Sequence, residues 1–158
     1  MAGLRPFSIA SLRQHPDLRP VVADRIWRAF WEPYGSPLDV LEAALDEVLA
    51  ALDFPFTLVA LDDDGFVGTV TAIQSDIAAR PELGPCVAAL WVEPKARGQG
   101  VGRALVNSAL SRLAAQGRDR CYLPAKPHLH DYYAMAGWSL VERGVGDDML
   151  DVFVRALP

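Results

Sequence analysis

Residues 90–106 read LWVEPKARGQGVGRALV, and no other stretch of the chain restricts the fold as much. An apolar run suited to a buried strand leads into glycines at 98, 100 and 102. From Val101 a helical spacing runs through Leu105, Leu110 and Leu113 to about Gln116. Glycines on alternate positions between a strand and a helix have two physical uses. They can make a flexible turn, or they can strip the main chain of side chains so that a charged group lies against it. In the second case the backbone N–H groups converge on an anion, and the helix N-terminus adds about half a positive charge.

The spacing separates the known phosphate loops. A Walker A loop needs GxxxxGK[ST], which occurs nowhere. A dinucleotide loop needs GxGxxG, and counting from Gly98 puts Arg103 where the third glycine belongs. That mismatch opposes nicotinamide-dependent oxidoreduction. The pattern [RQ]xxGx[GA] is met in full by Arg97, Gly100 and Gly102.

Around this unit the chain reads as a mixed α/β domain. FSIASL suggests a short edge strand, and Leu18, Val22, Ile26 and Phe30 a helix. Ser36-Pro37 predicts a second helix, with Ser as N-cap and Pro at the first helical position, whose apolar face is Leu38, Leu41, Leu45, Val48 and Leu52. TLVALD and FVGTVTAIQ flank Asp62-Asp63-Asp64-Gly65 as a hairpin, the acidic residues lying in an exposed turn. CVAALWV, residues 86–92, predicts a buried central strand. RCYLPA predicts another strand, HLHDYYAMAG a short helix ending at Gly137, and WSLVERG with DMLDVFVRAL a closing antiparallel pair.

At 158 residues one domain over 1–158 is expected. An apolar fraction of 51% excludes a mainly disordered chain. A net charge of −5 without a Lys/Arg-rich block excludes a nucleic-acid footprint. No apolar run reaches a membrane span, and MAGLRPFSIASLR lacks the features of a signal peptide, so the expected location is cytoplasmic. Cys86 and Cys121, far apart in apolar runs, predict two reduced buried thiols. His128 and His130 lack further nearby ligands, so no metal is expected.

LWVEPKARGQGVGRALV resembles the strand-loop-helix signature of the GCN5-related N-acetyltransferase (GNAT) family, and the element order agrees over nearly the whole chain. The resemblance implies a mixed, mostly antiparallel central sheet with one splayed parallel strand pair, flanked by about four helices. It implies acetyl-CoA as co-substrate. Gly98, Gln99, Gly100, Val101 and Gly102 would offer N–H groups to its diphosphate, with Arg97 opening the motif and Arg103 adding charge. Leu90, Trp91 and Val92 occupy the stretch whose backbone pairs with the pantetheine arm, a form of strand addition. DYYAMAGW, residues 131–138, resembles the family's FYxxxGF string and makes Tyr133 the general acid to the leaving thiolate, with Tyr132 as packing. The string DIAARPELGPCVAALWVEPKARGQGVG, together with YYAMAGW, is also similar to a bacterial subgroup related to acetyltransferases of protein N-termini.

Acetyl transfer to an amine requires a neutral amine, a stabilised oxyanion and a protonated leaving group. The base is open in the sequence: CVAALWV holds no carboxylate, and Asp76, Glu82, Glu93, His130 or water remain candidates. An α-amine, with pKa about 7.7–8.0, needs a dedicated base less than a lysine amine at about 10.4. Lys126 stands where the family often has an asparagine. The expected partners are acetyl-CoA, an amine-bearing small molecule or peptide and, as an allowed arrangement, a second copy in a homodimer. No membrane partner is expected. A non-catalytic acyl-CoA-binding module of the same fold is the alternative.

Overall fold

The computed structural model describes residues 5–158; residues 1–4, the start of the stretch read above for signal-peptide features, lie outside them. Seven strands, β1 Ser8–Ser11, β2 Phe56–Asp62, β3 Gly65–Ile73, β4 Cys86–Val92, β5 Arg120–Ala125, β6 Ser139–Val145 and β7 Leu150–Ala156, follow the hydrogen-bonded order β1-β2-β3-β4-β5-β7-β6. The helices are α1 Arg19–Ile26, α2 Leu38–Ala50, α3 Val101–Ala115 and α4 His130–Met135. FSIASL is an edge strand, as expected: β1 pairs antiparallel with β2 from Ser8↔Leu61 to Ser11↔Leu58. The one parallel pairing joins β4 to β5 at Cys86↔Tyr122 and goes no further. That is the splayed pair expected of the family fold.

The described residues divide into two compact units, 5–71 with 89–109 and 72–88 with 110–158. The first has a core of Leu12, Val22, Ala23, Ile26, Leu41, Leu45 and Val59. The turn between β2 and β3 forms where Asp64 N–H donates to Asp62 Oδ1 at 2.8 Å, an Asx turn that uses the acidic run locally. Among the described residues no group of three His, Cys, Asp or Glu could hold a metal ion, and no helix is long and apolar enough to cross a membrane.

Three local readings need correction here. The helix through Leu18 and Phe30 is shorter: α1 gives way to a π-helical turn at Trp27–Trp31, and Phe30 is exposed. Its wide turn lets Trp27 Nε1–H donate to the Ser36 carbonyl at 2.8 Å. Ser36 is therefore a carbonyl acceptor and not a cap. Pro37, extended at φ −72°, ψ 149°, is the N-cap of α2 and makes no side-chain bond. Because α2 ends at Ala50, Leu52 leaves the apolar face and is 79% exposed, while Leu41, Leu45 and Val48 are buried as their spacing predicts.

In the second unit β7 pairs antiparallel with β5, from Arg120↔Ala156 to Ala125↔Asp151, and with β6, whose register shifts twice. Ile77, Leu83, Val145 and Val152 form its core with Tyr122 packed against them. Cys86 and Cys121 are buried and free, and desolvation pushes their thiols up to about 11 and about 12. Thiols held that high stay protonated and inert near neutral pH.

Candidate active site

The first unit carries the glycine loop. β4 is central in the strand order, but only Cys86 and Val87 are buried and its later residues are half-buried, so it is more open than its apolar sequence predicts. Ala89 sits in the left-handed region at φ 53°, a break in regular strand geometry that a non-glycine residue adopts rarely. After β4 comes a short 3-10 turn at Pro94–Ala96, then the loop, then α3.

Gly98 and Gly100 take φ values of +75° and +83°, and a Cβ on either would meet nothing within 4 Å. Glycine is needed there for the backbone conformation, and the space above it is open. Gly102 is different. It has ordinary helical space, with a Cβ 3.6 Å from Val92 Cγ2, which fits a motif position that accepts alanine. Ala104 N–H donates to Gly100 O at 3.0 Å, the first bond of this helix to a carbonyl four residues back. The amides of Val101, Gly102 and Arg103 are thus the unpaired donors of a helix start. Gln99 turns its side chain away, Nε2 donating to Lys95 O at 3.3 Å, and Arg103 is exposed on the first turn of α3.

Arg97 is already employed within the fold. Its Nε donates to the Val92 carbonyl at 2.8 Å, and its guanidinium lies 4.6 Å over the Trp91 ring. Of the Leu90, Trp91 and Val92 backbone groups, the Val92 carbonyl therefore has one lone pair in use. Trp91 Nε1 is buried without a hydrogen-bond partner among the described residues. Buried donors are normally paired, so this N–H is suited to an acceptor from a ligand.

Glu93, a base candidate in the sequence, is held in an ion pair. Arg25 Nε donates to Glu93 Oε1 at 2.6 Å, and the Glu93 side chain is 16% exposed. One carboxylate oxygen is thus occupied within the fold.

The second unit carries Tyr133 and the other base candidates. Tyr133 stands on α4, its ring 5.9 Å from that of Phe153 on β7, and burial raises its phenol above the ordinary value of 10. A phenol so shifted stays protonated near neutral pH. Trp138 N–H donates to Tyr133 O at 3.1 Å past Gly137, closing the helix where the sequence predicts. Tyr132 is not packing: it is exposed and meets Tyr133 edge-on at 5.0 Å.

Glu82 is bonded to Arg80 Nε at 2.5 Å, which holds its carboxyl below the usual value. Asp76 is exposed as a residue, yet protein atoms crowd its carboxyl, and that desolvation pushes its pKa up to about 6. His130 opens α4 three residues before Tyr133 and stacks on the same Phe153 at 5.4 Å. Its Nδ1 lies 3.4 Å from Asp151 Oδ2. Asp151, 3% exposed on β7, was missed in the sequence. The signal was present: a carboxylate two residues before Phe153 shares that residue's face of the strand, where an apolar side chain is the rule.

The acetyltransferase (GNAT) family model matches residues 23–138. No curated protein matches the chain. Among solved structures it is similar to a GNAT-family acetyltransferase from Staphylococcus aureus Mu50, 15% identical over 97% of this chain and 100% of the other, with a TM-score of 0.72. It is similar to aminoglycoside 6'-acetyltransferase type Ii, 22% identical over 96% and 98%, TM-score 0.72. It is also similar to a GNAT-family N-acetyltransferase from Escherichia coli in complex with CoA, 24% identical over 100% and 84%, TM-score 0.67. At these identities the likeness to solved structures is one of fold.

Proposed function

The chain belongs to the GNAT acetyltransferase family, and on that premise we propose that it moves an acetyl group from acetyl-CoA directly to a primary amine. The observation that carries this reading is the loop: two glycines at positive φ under open space, followed by the unpaired amides that begin α3. Such a run of N–H groups at a helix start is chemically suited to a diphosphate. Gly98, Gln99, Gly100, Val101 and Gly102 would hold it, with Arg103 adding charge. Arg97 serves the loop by bracing it. Leu90, Trp91 and the free side of Val92 would bind the pantetheine arm, and the orphaned Trp91 Nε1–H fits a carbonyl or phosphate acceptor.

Acetyl-CoA supplies the activated thioester when bound. Tyr133 holds the proton that the departing sulfur requires, and its raised pKa keeps that proton in place until the thiolate forms. Glu82 and Glu93 are committed to arginines, which leaves Asp76, His130 or water to receive the amine proton. The acceptor class is a peptide N-terminus or a small amine. The fold shared with two aminoglycoside 6'-acetyltransferase structures supports keeping polycationic amines in that class.

Calorimetry with CoA, followed by thiol release from acetyl-CoA over a panel of peptides and aminoglycosides, tests the proposal. Heat on binding and thiol release with at least one amine are expected, and Tyr133→Phe should lower turnover about a hundredfold with CoA affinity kept. CoA binding without turnover on any amine favours the acyl-CoA-binding module. No binding at millimolar CoA removes both readings.

A further inference from the structure

Three carboxylates, a histidine and water were open as the proton acceptor, and the second unit distinguishes one arrangement for it. We propose that His130 and Asp151 form a proton-accepting pair, His130 taking the amine proton at Nε2 and Asp151 holding the ring from behind; this rests on the acetyl-transfer reading above.

A carboxylate 3% exposed is costly unless something answers its charge. Among the described residues the basic side chain beside it is His130, whose Nδ1 lies 3.4 Å from Asp151 Oδ2 and can turn an N–H toward that charge. That nitrogen is buried and makes no hydrogen bond at the present spacing. Catalytic hydrogen bonds are often long before substrate binds and tighten afterwards. Asp151 is anchored where β7 faces Ala125 of β5, so the carboxylate is placed by a strand and not by a mobile loop.

A carboxylate facing Nδ1 favours the tautomer with its proton there, which leaves the Nε2 lone pair free. The side chain keeps 26% of its surface open, against 4% for Asp151, so the histidine is the member of the pair that a substrate can reach. His130 and Tyr133 are three residues apart on one helical turn, and both rings pack on Phe153, at 5.4 and 5.9 Å. One short helix thus carries an acceptor and a donor side by side.

The step balances with those two groups. The amine nitrogen forms a bond to the acetyl carbon and loses a proton to His130 Nε2. The carbon–sulfur bond breaks, and the thiolate takes the Tyr133 proton. His130 then releases a proton to water and Tyr133 recovers one. Asp151 touches no reacting atom, so it is a positioning residue.

The chain has three histidines, which makes nitrogen NMR of the full chain practical. The proposal expects neutral His130 to carry its proton on Nδ1 and to lose that preference in Asp151→Asn. With acetyl-CoA and the best amine of the panel, His130→Gln should lower kcat about a hundredfold and Asp151→Asn about tenfold or more, the KM for acetyl-CoA moving less than about twofold. Asp151→Glu should recover part of the loss, which guards against a mere folding defect. Neutral His130 protonated on Nε2, or Asp151→Asn turning over like the parent, overturns the pair alone. Absent turnover by the parent on every amine, with CoA bound, sinks the transfer reading and this proposal with it.

Discussion

Arg97 holds its guanidinium 4.6 Å over the Trp91 ring and donates from Nε to the Val92 carbonyl at 2.8 Å. The residue that opens the glycine motif therefore fastens the loop to the strand that precedes it. An exposed cation–π contact contributes about 0.5–1 kcal/mol, and a hydrogen bond from a charged donor about 1.5–3 kcal/mol. Arg97→Ala should leave the loop less ordered and weaken CoA binding about three- to tenfold by calorimetry, with a smaller effect on the thermal midpoint. Arg97→Lys keeps a cation near the ring but loses the planar fork, so its affinity should fall between the two. Unchanged affinity in Arg97→Ala would show that the brace is irrelevant to the ligand.

The two kinds of glycine in the loop predict opposite outcomes. Gly100, at φ +83° under open space, cannot take a β-branched residue without about 1–2 kcal/mol of backbone strain, and the added side chain would occupy the diphosphate's proposed seat. Gly100→Val should weaken CoA binding more than about tenfold, a loss of roughly 1.4 kcal/mol or more. Gly102→Ala meets Val92 Cγ2 at an ordinary 3.6 Å and replaces a helical glycine with a better helix former. It should keep CoA affinity and match or exceed the parent in thermal midpoint. Equal losses in both variants would overturn the assignment of the loop.

What the chain discloses in advance follows from the range of the interactions concerned. Local patterns were legible: the apolar runs of TLVALD and FVGTVTAIQ on either side of an acidic turn, the helical face of α2, and above all the spacing of Arg97, Gly100 and Gly102, because each depends on residues close in sequence. The correction at Ser36 has the opposite origin. Its fate was decided by Trp27, nine positions earlier, through a π-helical turn that no cap rule anticipates. Glu93 shows the same limit at the site, for its partner Arg25 lies 68 residues away. Asp151 was overlooked because a lone carboxylate in an apolar strand resembles a solvent-facing position until the strand's neighbours are known.

Gly84 predicts a stability defect remote from the loop. A Cβ built there would lie 1.7 Å from Gln74 O, a backbone atom that cannot step aside as a side chain can. Gly84→Ala should cost about 3 kcal/mol, the upper part of the range for overpacking. For a domain of this size that corresponds to a fall of roughly 6–12 °C in thermal midpoint. Gly65→Ala, whose Cβ would meet nothing within 4 Å, provides the comparison, since strain from its φ of +112° is then the sole cost. A midpoint for Gly84→Ala no lower than that of Gly65→Ala would mean that the segment before β4 yields easily.

Asp76 gives the stability of this chain a pH dependence opposite in sign to that of an ion-paired carboxylate. Desolvation raises it from 3.8 to about 6, so between those values the folded chain holds a proton that the unfolded chain has released. The associated stability is fully present below the unfolded value and is lost as pH rises through about 6. Asn mimics the protonated, uncharged side chain. Asp76→Asn should match the parent in thermal midpoint near pH 4 and exceed it near pH 7.5, by a modest margin because water still reaches the exposed residue. The same variant separates the base candidates, since turnover should survive within about twofold where His130 is the acceptor. A parent more stable than Asp76→Asn near pH 7.5 would mean that the carboxylate is stabilised by a partner rather than penalised by burial.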